Sequence, residues 1–319
     1  MVSIIIPARN AGPWIQESLQ SALAQTHRAL EVLVVDSGST DDTVDRARIV
    51  ADERVRFFRA PASGPSAARN AGLDAARGEF IQFLDADDAL VPDKIERQLD
   101  VLLETGADVA WGSFVRAIDD QRPLAAHTAP LVEPAIGSDV QRSLLEDDGF
   151  VHLGATLTRR SAIGAIRFDD AVRVVEDVRF LFALAENSAR FIHAPMRSGY
   201  VMREHESAAR ASRVGSAEFW RSCGGLAMLA ESAWRAAGTL TAERAATLAR
   251  VQVGVARHLV QSDARGARAA IERAKSLTPE YYKAFPPRLR AIVRALGFER
   301  AEKLARVVRS ARRPLWVAC

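Results

Sequence analysis

The sequence predicts an α/β fold: a mostly parallel sheet flanked by helices and followed by a C-terminal helical region. Three observations support this. Short apolar runs alternate with helical patterns over the first 90 residues, acidic residues follow two of those runs, and the pattern is helical throughout from about residue 213. With 319 residues, 48% apolar and 26% charged, the chain is globular and long enough for a large domain plus an appendage.

The N-terminal part alternates between strand and helix signals. Parallel neighbours need a crossover of a dozen or more residues, and each predicted helix supplies one. This spacing therefore favours a parallel sheet with right-handed crossovers. The predicted strands are 2–6, 31–36, 55–60 and 79–85, and the predicted helices are 12–25, 37–52 and 63–78.

The pattern is less regular after Pro92, although strand and helix signals continue. The stretch DVAWGSFVRAI is apolar and β-branched enough to predict one strand over residues 108–118. Later helices break near Gly238, Pro279 and Pro286. The other predicted elements are a helix at 93–104, a short strand at 155–160, a helix at 176–188 and strands within 189–195 and 198–205.

Charge is unevenly distributed, and we divide the chain into an α/β domain, 1–210, and a basic helical region, 211–319. Residues 210–319 hold 21 Lys and Arg against 8 Asp and Glu, whereas residues 1–209 hold 22 against 32. The basic part suits an anionic membrane surface or another anionic partner. Solvated arginine-rich faces, packing on the α/β domain and a homodimer contact are the alternatives.

Sequence signals for export are weak. The residues after Met1 have no basic n-region, and no run of about 18 apolar residues occurs. Cys223 and Cys319 are far apart, which does not resemble a disulfide framework. We therefore expect a cytoplasmic protein, with peripheral contact at the inner face of the cell membrane as an option.

Acidic residues cluster where predicted strands end. Asp85, Asp87 and Asp88 follow the apolar run 80–84, and their repulsion needs compensation. Carboxylates in this arrangement can ligate a hard divalent cation, and the alternative is a cluster that caps the next helix. Because ligands of parallel sheets bind beyond the carboxyl ends of strands, this cluster is a candidate site.

Four further residues have both a structural and a functional interpretation. Asp36 ends another strand and either caps a turn or accepts a hydrogen bond from a nucleotide. Arg69 either holds a phosphate or pairs with Asp85. Acids such as Asp177 are favoured at a helix N-terminus by the dipole, but can also serve as a general base. His205 is either structural or a late metal ligand.

Several sequence blocks carry a family resemblance. They are SIIIPARN, SALAQTHRALEVLVVDSGSTDDT, GPSAARNAGLDAARGEFIQFLDADDALVPDK and, more briefly, VVEDVRF and YVMREHESAA. With these blocks in order over residues 2–207, the chain resembles the family 2 glycosyltransferases, which are inverting enzymes of GT-A fold. The resemblance implies transfer of a sugar from a nucleotide-diphosphate sugar, usually a UDP-sugar, and a place in polysaccharide or other cell-envelope biosynthesis.

The resemblance also implies residue roles by position. Asp85 and Asp87 match the DxD signature that holds Mn²⁺ or Mg²⁺, with His205 as a further ligand. Asp177 is similar to the family's catalytic base, Asp36 would bind the nucleotide base, and Glu176 and Asp88 would support the site. The nucleotide-binding set is Pro7, Ala8, Arg9, Asn10, Asp36, Ser37, Arg69, Asp85 and Ala86.

The chain also departs from the family pattern. Ser37 stands where many members have Asp, and Arg9 where many have an aromatic residue. No Q-x-x-R-W motif follows the base, so we expect transfer of a single sugar to a saccharide, lipid-linked saccharide or other glycoconjugate. A nucleotidyltransferase is one alternative, although ARNAG at 8–12 poorly matches a Gly-rich phosphate loop. An inactive nucleotide-sugar-binding subunit is the other.

Overall fold

The computed structural model of the protein describes residues 1–62, 64–118, 131–172, 174–195, 199–204 and 216–303. The chain divides into two compact units, Met1–Ser212 and Arg213–Cys319. Each unit is described separately below.

The first unit begins with the predicted alternation of strands and helices. Its strands are β1 Val2–Ala8, β2 Leu30–Asp36, β3 Val55–Arg59, β4 Phe80–Phe83, β5 Ala89–Leu90, β6 Val109–Trp111, β7 Phe114–Ile118, β8 Leu131–Val132, β9 Thr156–Arg159, β10 Phe191–His193 and β11 Tyr200–Glu204. Its helices are α1 Ile15–Leu23, α2 Thr43–Val50, α3 Pro65–Ala75, α4 Lys94–Thr105, α5 Val140–Ser143, α6 Arg160–Ile163 and α7 Glu176–Glu186.

Seven strands form the main sheet in the order β10-β6-β9-β4-β1-β2-β3. Only β9 runs antiparallel to its neighbours, β4 and β6. In the register of β1 and β2, Ala8 lies beside Asp36, so the last residues of both strands meet at one edge. The predicted α/β fold with a mostly parallel sheet is therefore confirmed.

The centre of this sheet is apolar on both faces because helices cover it. Ile4, Ile5 and Ile6 are completely buried, although their side chains point alternately to opposite faces. Helix α3 packs closely on β1: a Cβ placed on Gly72 would lie 2.4 Å from Cγ2 of Ile5. Glycine at position 72 thus allows α3, which carries Arg69, to lie against the strand.

A second sheet has the order β5-β11-β7-β8. The prediction of one strand over 108–118 is wrong, because this stretch forms β6 in the main sheet and β7 in the second sheet. The break falls at Gly112 and Ser113, whose backbones bond to different partners. Gly112 N donates to Ala155 O over 3.1 Å, and Ser113 O accepts from Gly199 N over 3.1 Å.

The second unit is helical over its described residues, as predicted. Ser216, Thr241 and Asp263 cap the first three helices with their side-chain oxygens. Small residues such as Ala256 and Ala274 are completely buried and allow close helix packing. No helix in the described part of the chain has the length and apolarity needed to cross a bilayer. The helices are α8 Ala217–Ala236, α9 Ala242–Leu259, α10 Ala264–Leu277 and α11 Pro287–Leu296.

Candidate active site

Asp36 ends β2 and holds the turn that follows it. Its Oδ1 accepts a hydrogen bond from Ser39 N over 3.0 Å, and its Oδ2 accepts one from Gly38 N over 3.3 Å. Gly38 has φ +92°, a left-handed conformation that glycine adopts without steric cost. The turn-capping interpretation of Asp36 is therefore realised in the structure, and its contact with a nucleotide base stays a prediction.

Asn10 joins the loops that follow β1 and β2. Its Oδ1 accepts from Thr40 N over 2.8 Å, and its backbone N donates to Ser39 Oγ over 3.0 Å. Asn10 has φ +50°, which asparagine tolerates better than most residues. Ser37 N completes the junction by donating to Ala8 O over 2.9 Å. The fold thus brings the predicted residues of these two loops together at one edge.

Arg69 bridges two carboxylates from distant parts of the chain. Its Nη2 donates to Asp85 Oδ1 and its Nη1 to Glu176 Oε1, each over 2.8 Å. Its guanidinium carbon lies 5.4 Å from the centre of the Phe168 ring, and the residue is only 5% exposed. Burial disfavours its charge, but Asp85 and Glu176 more than offset this and raise the pKa of Arg69.

This bridge corresponds to one of the two roles considered for Arg69, the pairing with Asp85. Burial disfavours the ionised form of Asp85, but Arg69 outweighs burial and the pKa of Asp85 is lowered. Asp85 is therefore ionised at neutral pH and available to a cation. Contact between Arg69 and the nucleotide stays a prediction.

Asn70, the neighbour of Arg69, secures the segment before α7. Its Nδ2 donates to Phe168 O and its Oδ1 accepts from Phe168 N, each over 2.9 Å. The Phe168 ring stacks on Phe180 of α7 with 4.2 Å between centroids. Two neighbouring residues of α3 therefore hold α7 in place. Arg69 pairs with Glu176, and Asn70 makes two hydrogen bonds with the backbone of Phe168, whose ring packs on the helix.

Asp177 lies in the first turn of α7 and is partly buried. Burial and the neighbouring charge of Glu176 raise the pKa of Asp177 to about 7. Val175, which precedes the helix, has φ +62° and ψ +20°, a left-handed conformation that is unfavourable for a β-branched residue. A carboxyl with a pKa near neutrality at a fixed position is suited to general base catalysis.

Asp88 links the loop that follows β4, residues 84–88, to β11. Tyr200 Oη donates to its Oδ2, and Arg203 N donates to its Oδ1 over 2.7 Å. Burial, together with the charges of Asp87 and Asp85, raises the pKa of Asp88 well above its usual value. The capping alternative for this residue is wrong, since α4 begins after Asp93.

Arg203 adds a second link between β11 and the loop. Its Nε donates to Asp87 O over 2.9 Å, and its Nη2 donates to Glu17 of α1. Tyr200 and Arg203 fall within the block YVMREHESAA, but no sequence pattern indicated that they form a network with Glu17. Its members come together because β11 pairs with β5, which directly follows Asp88.

The residues at the end of β4 fit a divalent cation. Carboxylate oxygens of Asp85 and Asp88 and a ring nitrogen of His152 lie within 4.8 Å of one another. Asp85 and Asp87, the ligands predicted from the sequence, are both partly exposed, whereas Asp88 is buried and bonded to β11, and cation binding by Asp85 and Asp87 stays a prediction. His205, the further ligand predicted from the sequence, lies outside the described residues.

His152 also lies beside this cluster, although no sequence pattern indicated it. It precedes β9, stacks on Tyr200 with 4.5 Å between ring centroids, and its Nε2 lies 4.0 Å from Asp85 Oδ2. Burial lowers the pKa of His152 to about 4, so the imidazole is neutral at physiological pH.

Comparison with known proteins finds relatives that are named as glycosyltransferases. An uncharacterized glycosyltransferase of Haemophilus influenzae is 31% identical over 204 residues, which cover 63% of this chain and 78% of the relative. One from Rickettsia felis is 46% identical over 104 residues, which cover 32% of this chain and 17% of that relative. An Escherichia coli UDP-Glc:alpha-D-GlcNAc-diphosphoundecaprenol beta-1,3-glucosyltransferase, WfgD, is 36% identical over 115 residues, 36% of this chain and 46% of WfgD.

Solved structures share the fold. TarS 1–349 of S. aureus in complex with UDP-GlcNAc has a TM-score of 0.62 and 17% identity, covering 97% of this chain and 92% of TarS 1–349. The mannosyltransferase PcManGT of Pyrobaculum calidifontis, in complex with GDP-Man and Mn²⁺, has a TM-score of 0.51 and 19% identity, covering 97% of this chain and 79% of PcManGT. The GT-A fold class predicted from the sequence is confirmed.

The family model described as "Glycosyl transferase family 2" matches residues 3–167, about half of the chain. This match includes β1 to β4, the residues Asp85 to Asp88 and His152. The chain therefore belongs to glycosyl transferase family 2, and it is a transferase enzyme.

Proposed function

We propose that the protein is a metal-dependent, inverting and non-processive glycosyltransferase. It moves one sugar from a nucleotide-diphosphate sugar, a UDP-sugar in our proposal, to a hydroxyl of a saccharide, lipid-linked saccharide or other glycoconjugate. The Arg69 bridge is the observation that carries this proposal. It ties the cation-binding carboxylate Asp85 to the helix that presents the base Asp177, so a leaving group and an acceptor hydroxyl can meet between them.

The relatives support the choice of donor and acceptor class. TarS was solved with UDP-GlcNAc, and WfgD is named for UDP-Glc and a diphosphoundecaprenol-linked acceptor. Residues 1–210 form the catalytic domain of our proposal. The nucleotide base and ribose bind at the edge formed by the loops after β1 and β2, where Asp36 accepts from the base.

Asp85 and Asp87 would hold Mn²⁺ or Mg²⁺, with His205 as a further ligand. When bound, the cation offsets negative charge that develops on the leaving diphosphate. PcManGT, which was solved with GDP-Man and Mn²⁺, supports this assignment. Arg69 keeps Asp85 ionised and correctly oriented, so the protein maintains the ligand before the cation arrives.

The transfer step is a single displacement at the anomeric carbon. The acceptor hydroxyl oxygen forms the new bond to this carbon while the bond to the diphosphate oxygen breaks, and the diphosphate keeps the electron pair. The hydroxyl proton goes to a carboxylate oxygen of Asp177. The new glycosidic bond therefore has the opposite anomeric configuration to that of the donor.

A panel of UDP-, GDP- and dTDP-sugars tests the proposal. The correct donor should raise the thermal unfolding midpoint with Mn²⁺ present and lose that effect in EDTA, because ligand binding stabilises the native state by mass action. Slow donor hydrolysis should release the nucleoside diphosphate, and NMR of a transferred product should show inversion. Release of pyrophosphate would instead indicate a nucleotidyltransferase, and binding without any turnover would indicate an inactive subunit.

We also propose that the basic C-terminal unit contacts anionic membrane. Helix α11 has no acidic residue, its Arg288, Arg290 and Arg294 are exposed, and the adjacent Leu296 is 46% exposed. This combination suits a bilayer surface that presents a lipid-linked acceptor, and it supports our proposal of peripheral contact at the inner face of the cell membrane.

Vesicle flotation tests the membrane contact. Phosphatidylglycerol vesicles should bind the protein, and binding should fall steeply with added salt and with the triple substitution Arg288→Glu, Arg290→Glu and Arg294→Glu. The triple substitution Arg265→Glu, Arg268→Glu and Lys275→Glu, on α10, is the matched charge control, and it should reduce binding less. Equal binding to phosphatidylcholine vesicles would contradict an electrostatic contact, and a dimer that dissociates on α11 substitution would assign the helix to self-association.

A further inference from the structure

His152 is a buried imidazole beside the cation-binding carboxylate, and the mechanism above does not use it. Only 9% of the residue is exposed. Its ring stacks on Tyr200 and lies among Phe114 and Phe150, with centroid distances of 6.0 and 6.3 Å to the two phenylalanines. Three aromatic neighbours hold the ring, so its nitrogens have fixed directions.

The hydrogen bond at one nitrogen sets the tautomer of this ring. Gly154 N donates to His152 Nδ1 over 3.1 Å, and Gly154 O accepts from Gln82 Nε2 over 2.8 Å, so hydrogen bonds hold Gly154 on both sides of its Cα. A ring nitrogen that accepts an N–H carries no proton of its own. The proton of neutral His152 is therefore on Nε2, the nitrogen nearest Asp85.

This tautomer is unsuited to direct coordination of a cation. A metal bound at Nε2 would require the ring proton on Nδ1, where it would face the N–H of Gly154. Asp88, the remaining member of the cluster, already accepts hydrogen bonds at both carboxylate oxygens from Tyr200 and Arg203. Proximity of the three side chains therefore does not make them a coordination set.

Asp85 lies between two donors. Arg69 Nη2 holds its Oδ1 at 2.8 Å, and His152 Nε2 lies 4.0 Å from its Oδ2. The separation of 4.0 Å is longer than a hydrogen bond, so donation from His152 requires the two atoms to approach by about 1 Å. With Arg69 on one oxygen and His152 donating to the other, the remaining lone pairs of the carboxylate would be left for the cation.

We propose that His152 is a positioning residue that acts from outside the coordination sphere as a neutral N–H donor to the Asp85 carboxylate. The inference rests on the proposed function, because it assumes that Asp85 binds the cation. Hydrogen-bond partners of a ligating carboxylate commonly change metal affinity about 10- to 100-fold when they are removed.

Two substitutions separate the two nitrogens of the ring. Asn at this position places an amide oxygen near Nδ1, which preserves the bond from Gly154 N but removes the donor to Asp85. Gln places an amide nitrogen near Nε2, which preserves that donor. Both are polar and smaller than the ring, so each serves as the folding control for the other.

Titration with Mn²⁺ alone, followed by electron paramagnetic resonance, measures the cation affinity of each variant. His152→Asn should weaken Mn²⁺ binding about tenfold or more, and His152→Gln should stay within about threefold of the parent. Thermal unfolding midpoints that match between the two variants assign the difference to the donor and not to stability. Equal Mn²⁺ affinity in the two variants would overturn the inference.

A spectroscopic measurement excludes the rival role. Pulsed electron paramagnetic resonance of bound Mn²⁺ in a His205→Ala background measures whether a ¹⁴N nucleus couples to the metal. We expect no ¹⁴N coupling from His152, so adding His152→Gln should leave the spectrum unchanged. Such a coupling would make His152 a direct ligand and overturn the positioning role. If the parent protein binds no Mn²⁺ at all, the metal assignment of the proposed function fails and this inference falls with it.

Discussion

The two acidic strand ends of the main sheet differ in what their carboxylates hold. Asp36, after β2, accepts hydrogen bonds from backbone groups two and three residues ahead. Asp85, after β4, pairs with Arg69, which in turn pairs with Glu176 107 residues further along the chain. The first acid organises its own turn, whereas the second belongs to a network that joins distant segments.

This difference shows that one sequence signal, an acid after an apolar strand, serves two physical roles. An acid that caps a local turn is replaceable at small cost because water can satisfy the turn. A buried ion pair costs little while complete, but removing one partner leaves an uncompensated charge. Substitutions at the two strand ends and at the base should therefore differ widely in effect.

The largest expected effect is at the base that the Asp85 network supports. Asp177→Asn should reduce sugar transfer about 10²- to 10⁴-fold, because the amide cannot accept the acceptor proton. Donor binding, measured by the thermal shift with nucleotide sugar and Mn²⁺, should persist. Glu186→Gln, at the exposed end of the same helix, is the matched control and should transfer normally. Intact transfer by Asp177→Asn would contradict the assignment.

The second-largest expected effect is on the free energy of unfolding. Arg69→Met should lower the free energy of unfolding by about 3–5 kcal/mol, since Asp85 and Glu176 would lose their shared counter-ion while partly buried. Arg46→Met removes an exposed pair with Asp42 and should cost less than about 1 kcal/mol. Urea unfolding of both variants measures the contrast. Similar losses would mean that burial does not distinguish the two pairs.

The pH dependence of sugar transfer and of stability should both report the raised pKa of Asp177. With the pKa of Asp177 near 7, transfer at low donor concentration should rise with pH up to about 7 and level off above it. Stability should change in the opposite sense, because the folded state binds this proton more tightly than the unfolded state does. This contribution is full below the ordinary aspartate pKa and is lost as pH rises through about 7.

The size of that loss is roughly 4 kcal/mol, because the pKa of Asp177 rises from its ordinary 3.8 to about 7, and Asp177→Asn should remove it. Relative to the parent, this variant should therefore become more stable as pH rises from 4 to 8. Urea unfolding at several pH values measures the difference. A constant difference between parent and variant over this range would show that Asp177 titrates as an ordinary exposed acid.

The smallest effect is at the other strand end. Asp36→Asn keeps one oxygen acceptor and loses the other, so it should cost about 0.5–1 kcal/mol of stability. If the free energy of donor binding falls by more than the free energy of unfolding, the excess measures the contribution of Asp36 to nucleotide binding. Urea unfolding and the donor-induced thermal shift, recorded on the same variant, separate the two.

Local periodicity explains which parts of the fold were predictable. Strands β1 to β4 and helix α3 were correctly predicted because apolar runs, Gly64-Pro65 and Gly78 mark them within a short window of sequence. The stretch 108–118 was not, since its apolar pattern is continuous and only hydrogen bonds to Ala155 and Gly199 divide it between two sheets. Such long-range pairing leaves no trace in the local pattern.

The candidate site shows the same limit. Asp85, Asp87 and Asp177 were identifiable from motifs, and the fold joins Asp85 to the helix of Asp177 through Arg69. His152 was missed because an isolated histidine in an unremarkable stretch acquires meaning only from the orientation of the Gly154 N–H and the approach of Asp85. Sequence spacing does not encode either relation.

Val175 has a practical consequence for engineering this protein. A β-branched residue in the left-handed region costs on the order of 1–2 kcal/mol, so Val175→Gly should raise the thermal midpoint. The same change loosens the chain directly before Glu176 and Asp177, and transfer should fall. A screen for thermal stability alone would therefore select a variant at position 175 that is more stable but transfers sugar more slowly. Libraries that vary Val175 should be sorted on turnover.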